Sequence, residues 1–260
     1  MPFAAPWTAH ARLAVAKREE PCYSGQYGLF HTGTGATTDP AGNPGPTCDS
    51  ATSSVASSRT VFSLNTAIMA VSEAATGRMA SGQLPRYTTG NAEIQLDPSV
   101  WETPGAMPEI APSPDFTANI DQRFTDRSMA LQAWGTYGIL WPVVHFELGV
   151  APDAGRGSVS VVPQVPDGQH QVSGSDIRVG QGSLDVTAQR SSSRLQTTVN
   201  RHGALELTIG ALLPEGASVS GVQLDGSKAK YQVVSTARGR EVLVDAGNGT
   251  GASTLVVSLG

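Results

Sequence analysis

The amino-acid sequence predicts an α+β protein of more than one domain: a helical part with long loops over residues 1–152, then an antiparallel β-sandwich over residues 153–260. Three observations carry this expectation. The hydrophobic period is helical before Pro152 and two-residue after it. Charge divides at the same place, with 8 basic and 13 acidic side chains over residues 1–150 and 9 of each over residues 151–260. The full length of 260 residues also exceeds the roughly 100–200 of a typical single domain.

In the first part, residues 8–20 read as an amphipathic helix capped by Thr8 and stopped by Pro21. Residues 22–58 read as loop, since Asn43-Pro44-Gly45-Pro46 excludes regular structure. Helical period returns over residues 61–76, with Leu64, Ile68 and Val71 on one face and Gly77 as the stop. A shorter helix is expected over residues 81–95, and a proline-rich loop over residues 97–122. Residues 125–148 read as one long helix, capped by Thr125 or Asp126, kinked by Pro142 and ended by Gly149.

After Pro152, short alternating runs read as strands, among them residues 159–162, 176–179, 183–186, 195–199, 205–209, 218–224, 229–236, 241–244 and 254–258. Glycine-bearing turns such as Asp167-Gly168, Arg201-His202-Gly203 and Asp225-Gly226 separate them. Short strands at this spacing predict a sandwich.

Composition excludes several classes. The net charge is −5 and no basic stripe exists, so a nucleic-acid partner is not expected. The most charge-poor run, Ser128 to Phe146, contains Gln132, Pro142 and His145 and is too polar to span a membrane. The N-terminus lacks the unbroken apolar core of a secretory signal. Cys22 and Cys48 bracket one Gly/Pro-rich loop, and two readings stand: a disulfide or two free thiols.

Chemistry concentrates between Arg86 and Arg123. No basic residue lies between these two, while Asp97, Glu102, Glu109, Asp115 and Asp121 do. Trp101 adjoins Glu102. Carboxylates beside flat aromatic rings suit sugars, which need proton transfer, hydroxyl partners and an apolar face. The plainer reading is a solvated loop whose Asp residues cap turns. Downstream, Trp134, Tyr137 and Trp141 share one helical face, the pattern of a packed core as much as of a ligand platform. The chain has no G-x-S-x-G elbow, H-E-x-x-H, C-x-x-C or Walker loop, and its five histidines lack metal spacing. Neither a metal nor an organic cofactor is expected.

The run Trp101-Glu102-Thr103-Pro104-Gly105-Ala106-Met107-Pro108-Glu109-Ile110, followed by Gln132-Ala133-Trp134-Gly135-Thr136-Tyr137, resembles the end of the helical barrel in glucoamylase-like and glycogen-debranching (amylo-α-1,6-glucosidase-like) six-hairpin glycoside hydrolases of actinobacterial type. The resemblance extends into the strand half at Val161-Val162-Pro163-Gln164-Val165-Pro166-Asp167-Gly168 and Leu212-Leu213-Pro214-Glu215-Gly216-Ala217. It covers nearly the whole chain, most firmly residues 97–225.

That resemblance implies a partial (α/α)6 helical-hairpin barrel followed by the sandwich, in effect the C-terminal portion of a larger enzyme acting on or binding α-glucan-type carbohydrate. It implies Glu109 as the general base of an inverting site, with Glu102 as a weaker catalytic candidate. Trp101, Asp115, Trp134 and Tyr137 would line the sugar site, and no residue matches the family's general acid. It further implies a secreted parent, a Cys22–Cys48 disulfide, and exposed apolar helix faces that a missing barrel segment or a homo-oligomer would cover. A non-catalytic carbohydrate-binding or structural module is the alternative, and a hydrolase of another ester or amide substrate a lower one.

Overall fold

The computed structural model describes residues 9–20, 23–30, 61–78, 83–98, 104–111, 129 and 131–260. The chain forms two compact units, residues 1–73 with 83–141 and residues 74–82 with 142–260. The expected Cys22–Cys48 bridge lies outside the described residues, as do Trp101, Glu102 and Asp115.

In the first unit, α1 (Ala9–Arg18) ends in Lys17 and Arg18, cations that suit the negative end of a helix. A two-residue hairpin, β1 (Ser24–Gly25) with β2 (Gly28–Leu29), stands where the sequence predicted only loop. Gly28 takes φ +135°, a conformation that other residues avoid, and the Leu29 amide donates to Thr66 Oγ1 at 3.0 Å. Such a hairpin is fixed by tertiary partners and leaves no period in the sequence.

The strand β3 (Val61–Phe62) leads directly into α2 (Ser63–Ala75) and pairs antiparallel with β4 (Ile110–Ala111). The buried side of α2 carries Thr66, Ala67 and Ala70; the expected stripe of Leu64, Ile68 and Val71 is its more open side, with Ile68 49% exposed. α3 (Gln83–Leu96) contributes Tyr87 and Ile94 to the interior. The Tyr87 hydroxyl meets Ser24 Oγ at 2.9 Å, so this buried phenol keeps a hydrogen bond.

The expected helix over residues 125–148 is corrected. α4 runs only from Trp134 to Pro142, and residues 125–128 lie outside the described residues. The chain before it is held elsewhere: the Glu109 amide donates to the Met129 carbonyl at 2.9 Å, and the Gln132 amide to the Met107 carbonyl at 2.6 Å. Backbone groups committed to another segment cannot join a helix. Pro142 does perturb the chain. A single π-helical turn, Val143–Glu147, follows it, closed by the Leu148 amide on the Val143 carbonyl at 2.8 Å. Four α-helices and no closed helical barrel are present among the described residues.

The second unit is one large mixed sheet folded over a common core. Its strands are β5 (Val150–Asp153), β6 (Ser158–Val161), β7 (Gln171–Val179), β8 (Gly182–Arg190), β9 (Arg194–Leu212), β10 (Val219–Leu224), β11 (Ser227–Lys228), β12 (Gln232–Thr236) and β13 (Gly239–Leu259). Two expectations are corrected here. Residues 195–199 and 205–209 belong to one 19-residue strand, β9, and residues 241–244 and 254–258 to one 21-residue strand, β13. The residues Arg201-His202-Gly203, expected as a turn, are strand interior.

Glycine explains the difference. On β13 the register shifts between Asp245 and Gly247 and again between Gly249 and Gly251, with Gly247 and Gly251 at φ +70° and +81°. The first leaves Ala246 as an extra residue on β13; at the second the extra residues are on β9, where His202, Gly203 and Ala204 have no strand partner among the described residues, and both long strands continue through the irregularity. The N-terminal part of β9 pairs with β8 and with residues 251–258 of β13. Its C-terminal part pairs with β6 and with residues 241–249. Each long strand therefore serves both layers of the fold.

The β6–β9 pair is parallel, so the sheet is mixed and not purely antiparallel as expected. Leu184, Val186, Val199, Leu255 and Val257 from one layer join Val161, Leu207, Ile209 and Val244 from the other in a single buried cluster. No helix among the described residues is long and apolar enough to cross a membrane.

Candidate active site

Of the residues that the resemblance places in the site, the structure describes Glu109, Trp134 and Tyr137, all in the first unit; Asp97, from the same acidic stretch, accepts from the Tyr27 hydroxyl at 3.2 Å. Glu109 immediately precedes β4. Its carbonyl accepts from the Ser63 amide at 3.1 Å and from Ser63 Oγ at 3.2 Å, and Ser63 Oγ also donates to the Pro108 carbonyl at 2.8 Å. The first residue of α2 thus fixes the backbone on both sides of the Pro108–Glu109 bond. The Glu109 carboxylate accepts from the Met129 amide at 3.3 Å through Oε2, and its side chain remains partly exposed.

The helix α4 is drawn to the same loop. Phe62, the cross-strand partner of Ile110, packs edge-on against Trp134 with centroids 6.1 Å apart at 74°. Thr136 Oγ1 donates to Met107 Sδ at 2.7 Å. Gly138 lies so close to Ala67 and Asn91 that a Cβ there would collide with both. Asn91 and Gln95 are buried on α3, and Gln95 Nε2 donates to the Asn91 carbonyl at 2.8 Å. The Gln95 carbonyl accepts from the Gly105 amide at 2.8 Å, which ties the start of the Glu109 loop to α3.

Trp134 and Tyr137 have different ring partners. The Trp134 indole N–H is buried and has no acceptor among the described residues, and its ring is occupied by Phe62. Its ring packs on Phe62 while the residue stays partly exposed, as Tyr137 does. Tyr137 is partly buried, and that burial raises the pKa of its phenol. It lies 5.8 Å from the ring of Trp141, tilted by 38°, and Trp141 is 45% exposed. All three rings keep some exposure, and Trp141 is the most open of them. The helical spacing of the three aromatics showed that they share a face, but spacing alone does not show which of them that face leaves most open.

One ionisable group escaped the sequence reading altogether. Glu147, at the end of the π-helical turn in the second unit, has its carboxyl pushed up to about 7 by burial. A lone glutamate after an apolar run carries no motif, and only its enclosure distinguishes it. No group of three or more His, Cys, Asp or Glu able to hold a metal exists among the described residues.

No family model matches the chain, and no curated protein matches it. Solved structures do show similarity. An α-L-rhamnosidase from Streptomyces avermitilis, complexed with L-rhamnose, aligns with 75% of this chain and 18% of its own, at 16% identity and a TM-score of 0.42. An α-L-rhamnosidase from Dictyoglumus thermophilum aligns over 48% of this chain and 13% of its own, at 9% identity and a TM-score of 0.35. A β-L-arabinofuranosidase from Geobacillus stearothermophilus T6 aligns over 78% of this chain and 32% of its own, at 10% identity and a TM-score of 0.35. The chain spans less than a fifth of the length of either rhamnosidase.

Proposed function

We propose that this chain handles carbohydrate through a partial glycosidase-type site in which Glu109 activates water. In this reading α1 to α4 correspond to the last hairpins of an (α/α)6 barrel, and the β unit is the sandwich that follows it. The observation that carries the proposal is the anchoring of Glu109. Ser63 grips the backbone at Pro108 and Glu109, while the carboxylate itself stays partly exposed. A base needs that combination, because proton transfer requires a carboxylate held in place within reach of water. Tyr137 and Trp141 supply a ring surface in the same unit against which the C–H face of a sugar can pack.

An inverting glycosidase sets its two carboxyl groups about 6.5–9.5 Å apart, with water between the base and the sugar. The resemblance offers no residue for the general acid, and Glu102 is the weaker catalytic candidate. The proposed chemistry is therefore hydrolysis of aryl glycosides, whose leaving groups depart with little protonation. α-Glucan would bind and remain intact. The test is hydrolysis of an aryl-glycoside panel by the wild-type chain and by Glu109→Gln; activity that persists in the variant refutes the role of Glu109.

A second reading, a non-catalytic carbohydrate-binding module, is favoured by one contact. The Met129 amide already occupies Glu109 Oε2 at 3.3 Å, so one of the two oxygens that a base would turn toward water is taken. Glycan binding without turnover of any aryl glycoside or aryl ester would select it.

A further inference from the structure

The outer face of β7, β8, β9 and β13 carries two rows of uncharged polar side chains in register, beyond which Asp185, opposite Asn200, meets His202 Nε2 at 2.6 Å. Gln171, Gln189 and Gln196 stand directly opposite one another on three successive strands. Two residues along, Ser173, Thr187, Thr198 and Thr254 form a parallel row across four strands. Directly opposed residues share a face, and the alternate positions Leu184, Val186 and Ala188 are buried, so both rows face outward.

The side chains are partly fixed by one another. Gln189 Nε2 donates to Gln171 Oε1 at 2.9 Å, Arg194 Nη2 donates to Gln196 Oε1 at 2.7 Å, and the hydroxyls of Thr198 and Thr254 meet at 3.1 Å. Each bond leaves further donors and acceptors on the same amides and hydroxyls. A groove of about 470 Å³ runs over the glutamine row and is lined by Gln171, Gln189 and Gln196 together with His170, Arg190 and Arg194.

We infer that this face is a glycan-binding surface for an extended, neutral oligosaccharide lying across the strands. The inference rests on the carbohydrate reading above but concerns a different place on the chain. Strands lie about 4.8 Å apart, so the amides recur at a spacing close to the length of one hexose unit in a stretched chain. Sugar hydroxyls both donate and accept, and so do glutamine and threonine side chains, which match them without the desolvation cost of an ion. Amides already held by a neighbour lose less freedom when a ligand arrives. The two rows contain no aromatic ring, so the binding is hydrogen-bonded and weak, with a dissociation constant of about 1 mM.

The test is titration of the ¹⁵N-labelled full chain with cellotetraose and xylotetraose, and with maltotetraose as the coiled contrast, following the glutamine side-chain amide signals by NMR. The expected result is movement of the Gln171, Gln189 and Gln196 signals with the two extended sugars. The double variant Gln189→Ala/Gln196→Ala should weaken binding by roughly tenfold, given a few-fold loss for each amide. Thr187→Val/Thr198→Val keeps strand propensity and shape, and should weaken binding as well even if the first variant folds poorly. Binding unchanged in both variants would overturn the glycan face and leave the carbohydrate reading standing. Absence of binding by any of the three sugars at about 10 mM would also overturn it. The aryl-glycoside assay of Glu109→Gln reads the other site independently of either result.

Discussion

Arg201 Nη1 donates to the Gly247 carbonyl at 2.9 Å, joining β9 to β13 at the point where both strands bend. The same nitrogen reaches the Leu205 carbonyl at 3.0 Å, and Nη2 reaches Ser253 Oγ at 3.2 Å. The side chain is buried, and no carboxylate pairs with it among the described residues. Burial of an unpaired guanidinium opposes folding, yet it donates to the Leu205 and Gly247 carbonyls beside the two register shifts.

The carbonyls decide the sign. Arg201→Met should destabilise the protein by about 2–4 kcal/mol, because it leaves the Leu205 and Gly247 carbonyls without their charged donor. Urea denaturation measures this, and a change below about 0.5 kcal/mol would mean that the bend holds without the arginine.

Glu147 makes stability depend on pH. Its folded carboxyl titrates at about 7 against an ordinary value of 4.5, so the fold favours the protonated form. Both states are protonated below about pH 4.5; between 4.5 and 7 the unfolded carboxyl ionises while the folded one stays protonated, so stability falls over that window and the loss is complete above about 7. The full loss is on the order of 3 kcal/mol. Glu147→Gln should therefore be more stable than wild type at pH 8 and nearly equal to it at pH 4. Thermal melts at the two pH values check this, and equal offsets at both would remove the assignment.

Gly138→Ala should destabilise the first unit by about 1–3 kcal/mol, since the added methyl meets Ala67 and Asn91 at a close helix approach. Gly105→Ala is the control. Nothing lies within 4 Å of a Cβ there, so its cost is confined to the backbone strain of φ +85°. If Gly105→Ala proves the more damaging of the two, the close approach of α4 is not what constrains residue 138.

For catalysis, Glu109→Gln should lower kcat on aryl glycosides by roughly 10²–10⁴-fold, the usual worth of general acid–base assistance. Ser63→Ala removes the hydroxyl that holds the Pro108 carbonyl and should lower activity less, through mispositioning of the loop. Equal losses in the two variants would assign the effect to loop structure and not to the carboxylate.

The sequence made some of this legible and hid the rest for identifiable reasons. Helical spacing together with caps and stops such as Thr8, Pro21 and Gly77 located α1 and α2 to within a few residues, and the expected helix over residues 81–95 lies close to α3, because these signals are local. It failed at Met129 and over residues 131–133, where the backbone of Met129 and Gln132 pairs with Glu109 and Met107 and no local pattern announces the partner. Turn chemistry also misled: Arg201-His202-Gly203 and Gly247 to Gly251 carry turn residues, yet they mark bends in continuous strands. At the site, Glu109 stood out by its motif. Ser63, which holds it, is an ordinary helix-initial serine, and Trp141 differs from Trp134 only in what covers it.

The unbroken course of β9 and β13 also decides where this chain can be cut. A protease or an engineered insertion at His202-Gly203 would fall between two paired stretches of one strand, residues 194–201 and 205–212, although His202 and Gly203 themselves have no strand partner among the described residues. Among the true reversals are Asp167-Gly168 and Asp225-Gly226, where the glycines adopt φ +83° and +79° with open space around them. New termini should be tolerated at those two tips, whereas a break between Arg201 and Leu205 would sever both layers at once.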